Sequence, residues 1–128
     1  MEKALGLIEA IGLTTAVTAL DAASKAADIV LVGTEKIIGV GGAVGVNIQI
    51  AGEVAAVRAA VDAGVDAANR VGIVQSSHVI PRPHDEVDKL IEEFSRNLED
   101  KDKAVENKES KGSKDNKDNK EKKDTKKK

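Results

Sequence analysis

The sequence predicts an α+β domain of order β-α-β-β-α-β with a further C-terminal helix, its antiparallel sheet carrying helices on one face. Three observations predict it. Apolar residues alternate or run together in short β-branched segments, and between those segments they recur at helical spacing. Glycine or proline stands where the period changes, and the connections are short.

Residues Lys3 to Ile11 read as the first strand, punctuated by Gly6 and Gly12. From Leu13 the period lengthens: Leu13, Ala16, Val17, Leu20, Ala23 and Ala27 fall on one helical stripe, with Asp21, Ser24, Lys25 and Asp28 outside it. The run Ile29 to Val32, ending at Gly33, suits a buried strand better than more helix. Between Lys36 and Gly45 glycines recur from Gly39 onward and admit positive φ, so a turn is expected there. Val44, Val46, Ile48 and Ile50 then alternate with Gly45, Asn47, Gln49 and Ala51, the pattern of a strand with one buried face. A second helix opens after Gly52, carries Val54, Val57, Val61, Val65 and Ala68 on one stripe, and closes at Gly72 in the position of a glycine cap. Ile73 to Ile80 is the last strand, stopped by Pro81. Beyond Pro83, Val87, Leu90, Ile91 and Phe94 make the apolar stripe of a third helix, packed on the domain or on a neighbour. This order suggests a ferredoxin-like variant, an architecture that leaves function open.

Of the 128 residues, those up to Leu98 carry 8 basic and 13 acidic side chains, whereas residues 99–128 carry 12 lysines and 9 acids. The reading is therefore a domain over 1–97 and a tail over 98–128, rich in Lys, Asp and Asn. Such a tail buries too little apolar surface to offset its ordering entropy and is expected to be disordered and solubilising. Its interspersed acids and lack of aromatics make it a poor nucleic-acid ligand. Phe94 is the single aromatic residue, so the core must be built from Ala, Val, Ile and Leu. A core so short of large anchors is expected to draw stability from neighbouring subunits.

Cysteine is absent, which removes disulfides, thiolate metal sites and thiol nucleophiles. Acids at Glu2 and Glu9 interrupt the N-terminal apolar stretch, unlike a secretory signal, and no apolar run reaches membrane-spanning length. A soluble, intracellular protein is expected. No catalytic, cofactor or metal residues emerge. His78 and His84 flank the Pro-Arg-Pro turn without a ligand set at metal spacing. The glycine-rich run lacks the Gly-Lys-Ser/Thr of a phosphate loop and leads into a strand. Asp62 and Asp66, one helical turn apart, read as a solvated face. An enzyme is not expected.

Several ordered stretches carry a resemblance. They are Ala4 to Glu9 with Gly12 and Leu13, Asp21 and Ala22 with Lys25 to Ala27, Leu31 to Gly33, Gly52 to Val54, Ala59 and Ala60, Asp62 to Gly64, and Val79 to His84. Together, over residues 3 to about 94, they resemble the single-domain, hexamer-forming (BMC-H) shell proteins of bacterial microcompartments, of the propanediol and ethanolamine type. The resemblance implies a cyclic homohexamer in the bacterial cytoplasm that tiles with itself and other shell proteins around encapsulated enzymes, without membrane or nucleic-acid partners. It matches Lys25 to the family's edge lysine and Arg82 to the edge arginine. It also implies a central pore for small polar metabolites lined by the turn after Lys36, here Gly39, Val40, Gly41, Gly42 and Ala43. That turn is longer than in commoner members, and its residues are glycine and aliphatic. The competing reading is a small ACT-like regulatory or ligand-binding domain of the same strand order, usually dimeric.

Overall fold

The structure is a computed structural model that describes residues 3–40, 42–96 and 99. The elements are β1 (Ala4–Ile11), α1 (Leu13–Ala26), β2 (Val30–Val40), β3 (Ala43–Gly52), α2 (Val54–Asn69) and β4 (Val74–Ile80). A third helix, α3, follows over residues 85–96. The sheet order is β2-β3-β1-β4, with every neighbouring pair antiparallel. This is the ferredoxin-like arrangement. The compact unit runs from Met1 to Ser95, and the proposed tail boundary and residues 100–128 lie outside the described residues.

The core is aliphatic. Ile8 and Ala10 of β1, Val46, Ile48 and Ile50 of β3, and Val57, Ala60 and Val61 of α2 are buried together. The two helices lie on one sheet face and meet through small residues: Ala16, Ala19 and Ala23 of α1, and Ala60, Gly64 and Ala68 of α2. A Cβ at Gly64 would stand 2.8 Å from the Ala19 carbonyl oxygen, so the close approach of the helices requires glycine there. At Gly6 an added Cβ would meet Ile50, Val57 and Val61 at 2.8–2.9 Å, which ties α2 to the sheet in the same way.

Three sequence expectations change. The buried face of α1 is Thr15, Ala16, Ala19 and Ala23, while Leu13 and Val17 are 59% and 52% exposed. The helix is rotated toward its alanine stripe, because α2 approaches too closely for leucine between them. Gly72 is not a left-handed cap, since it is absent from the positive-φ glycines. The helix ends at Asn69, the Gly72 N–H bonds the Ala68 carbonyl at 2.9 Å, and a Cβ at Gly72 would strike the Thr15 hydroxyl. Strand β2 does not end at Gly33 but continues to Val40, its register shifting between Leu31 and Gly33.

By alternation, Gln49 and its cross-strand partner Gly33 face away from α1 and α2. Helix α3 covers them: Phe94 approaches Gly33, and the Ser95 hydroxyl donates to the Val32 carbonyl at the bulge. The third helix therefore packs on its own domain.

Candidate assembly and pore site

The register divides the domain into two ends. At one end β1 starts, β3 finishes and β4 finishes, with Ala4 opposite Gly52 and Leu5 opposite both Ala51 and Ile80. At the other, Ile11 lies opposite Gly45, and β2 and β3 run on as a two-stranded hairpin to the pair Val40 and Ala43.

Lys25 sits in the last turn of α1, which descends from Gly12 toward the start of β2. Arg82 follows Pro81, immediately after β4. The topology thus brings Lys25 and Arg82 to the end of the sheet opposite the hairpin tip. Lys25 donates to the Asp21 carboxylate at 2.8 Å across one helical turn, both side chains largely exposed. An exposed pair of this spacing contributes only a few tenths of a kcal/mol, roughly 0.3–0.5, so the lysine remains available to another partner. Arg82 is exposed, and its neighbour Pro81 lines an open depression of about 390 Å³ with Lys3, Gly52 and Glu53.

The turn expected between Lys36 and Gly45 is confined to the tip of a paired hairpin. Ile37 pairs with Gly45, Ile38 with Val44 and Val40 with Ala43. The turn uses positive φ at Gly39 (91°) and Gly42 (75°), and the Gly42 N–H points to the Gly39 carbonyl at 3.5 Å. Gly41 lies outside the described residues. Of the expected pore residues, Gly39, Val40, Gly42 and Ala43 fall at this tip. The arms of the hairpin below the turn pair across the ladder, and the turn itself carries glycine at Gly39 and Gly42.

Part of the apolar stripe read on α1 borders a cavity against the sheet. Leu13, Ala16, Val17, Leu20, Leu31, Thr34, Val46 and Ile48 line a cavity of about 130 Å³ between α1 and strands β2 and β3. The Gly12 N–H bonds the Val44 carbonyl at 2.9 Å, so this cavity adjoins the root of the hairpin. The helical spacing of Leu13, Val17 and Leu20 was visible, but that spacing cannot say whether the stripe meets its own sheet or remains open.

The residues of interest for chemistry take structural or solvated places. His84 caps α3, accepting the Glu86 N–H on Nδ1 at 3.1 Å, and His78 lies exposed on edge strand β4. Asp66 pairs with Arg70 at 2.6 Å on the outer face of α2. Among the described residues no three His, Asp or Glu side chains gather as metal ligands, and no helix is long and apolar enough to cross a membrane.

A family described as the BMC domain matches residues 4–83. The bacterial microcompartment shell protein PduA of Citrobacter freundii is 49% identical over 90 residues, 70% of this chain and 92% of that one. The shell protein EutM of Escherichia coli K12 is 46% identical over 88 residues (69% and 87%), and the carboxysome shell protein CcmK2 of Synechocystis 43% over 93 residues (71% and 86%). Among solved structures, a microcompartments protein from Desulfitobacterium hafniense DCB superposes with a TM-score of 0.61 at 35% identity, over 70% of this chain and 48% of that longer one.

Proposed function

The chain belongs to the BMC-domain family of bacterial microcompartment shell proteins, and from that premise we propose that it closes into cyclic hexamers that tile a shell. Its role is structural, and the relatives' shell function argues against the ACT-like alternative. In this reading the hairpin tips, Gly39 to Ala43, meet at the six-fold axis and surround the central pore. Lys25 and Arg82 lie at the rim, Lys25 with its stem flat on the neighbouring hexamer and Arg82 donating its planar fork to carbonyls across the edge. Other shell proteins and encapsulated enzymes are the partners, the bacterial cytoplasm is the setting, and residues beyond 97 form a separate solvated tail.

The observation that carries this reading is the placement of the candidate groups: both rim residues lie at one end of the sheet and the hairpin lies at the other. A wedge built this way can put its narrow end on an axis and its charged end at a periphery. The test is native mass spectrometry with electron microscopy of the full chain and of Lys25→Ala. Six subunits and extended sheets are expected for the parent, and six subunits without sheets for the variant. A dimer, or sheets unaffected by the substitution, would overturn the assignment.

A further inference from the structure

We propose that the hairpin forms an apolar collar at the pore that favours small uncharged molecules over ions, with Ile38 as its selectivity-determining residue. The inference rests on the hairpin tips meeting at one axis, as set out above. From Ile37 to Val46 no side chain carries a polar atom. By alternation from Val46, Ile48 and Ile50, Val44 and its partner Ile38 share the face on which α1 lies, while Ile37 and Ala43 occupy the other. With the face of Ile38 and Val44 turned to the axis, the side chains presented there are aliphatic.

These side chains are not consumed by the core. Ile38 is 90% exposed and Val44 46% exposed, beyond the last β1 pair at Ile11 and Gly45. An isoleucine standing free at the end of a strand has nothing in its own subunit to bury it. Six of them around an axis would make a ring with no hydrogen bonds to replace an ion's hydration shell. Apolar constrictions of this kind exclude ions by losing their water, and stripping a charge costs far more than stripping a neutral hydroxyl compound. The turn alone would not give this selectivity, because glycine leaves carbonyls and amides accessible. The two-stranded overhang beyond the pair of Ile11 and Gly45 places isoleucine there.

The measurement uses sheets of the full-length chain laid on a nanoporous support, with potassium chloride and erythritol as probes. The parent should pass erythritol over the salt at a ratio above that of free diffusion. Ile38→Ser should abolish most of that preference, and Ile38→Leu should keep it. Because Ile38 is so exposed, neither variant removes core packing. A ratio near that of free diffusion in the parent, or a ratio unmoved by Ile38→Ser, overturns the collar. Ala43→Cys separates that failure from failure of the pore reading, since the chain has no other cysteine. A short bis-maleimide should link the tips into a ladder reaching six subunits. Absence of a ladder overturns the placement of the tips, and the collar with it. A ladder with unselective flux overturns the collar alone.

Discussion

At Gly64 two residue-scale effects oppose each other. Helix propensity favours alanine over glycine by about 0.8–1 kcal/mol, yet an added methyl would press on the Ala19 carbonyl oxygen at 2.8 Å and on Ile8 at 3.0 Å. A backbone oxygen inside α1 cannot rotate aside, so overpacking should win. Gly64→Ala is expected to lower unfolding free energy by about 1–3 kcal/mol, read as a lower denaturant midpoint at unchanged slope. A midpoint at or above the parent's would show that α1 and α2 can separate without cost.

At the scale of elements, the hairpin beyond β1 contributes little burial to its own subunit. Deleting Ile37 and Ile38 together with Val44 and Gly45 removes two rungs and preserves the face alternation on both strands. Such a trimmed chain should keep its helix and strand content by circular dichroism and lose at most about 1 kcal/mol, since loop closure depends only weakly on length. A loss well beyond that would mean the overhang braces the sheet. Helix α1 follows the opposite logic. Its alanine face is packed to zero exposure at Ala16, Ala19 and Ala23, while the larger Leu13 and Val17 stay outside.

At the scale of the whole molecule, among the described residues the sheet has two open edges, β2 and β4, and exposed aliphatic side chains near both: Leu13 and Val17 beside β2 and β3, and Val71 and Ile73 before β4. Among the described residues the largest fully buried side chains are Ile8, Ile50 and Val57. At about 25 cal/mol per Å² of buried apolar surface, association has more to add here than in a domain with a large aromatic core. The thermal midpoint of the full chain should therefore rise with protein concentration, as linkage to assembly requires. Scanning calorimetry across a wide dilution series provides the check, and a constant midpoint would mean the subunit is stable alone.

The order of the elements, the burial of Val46, Ile48 and Ile50 on β3 and that of Val57, Val61 and Ala68 on α2 were legible because each depends on local period and local chain geometry, whereas Val44 and Val54 are exposed and Gln49 and Ala51 are buried from the other face of the sheet. Lys25 and Arg82 were legible as positions only through the ordered stretches around them, since spacing alone gives an exposed lysine and an exposed arginine. Tertiary structure decided what local pattern leaves degenerate. Helix α1 carries two apolar stripes, one through Leu13, Val17 and Leu20 and one through Ala16, Ala19 and Ala23, and the close approach at Gly64 selects the second. The run from Lys36 to Gly45 is compatible with a loose glycine loop or a hairpin, and only pairing with β3 settles it as a ladder. Glycine fixes what the backbone is allowed to do; partners distant in sequence fix what it does.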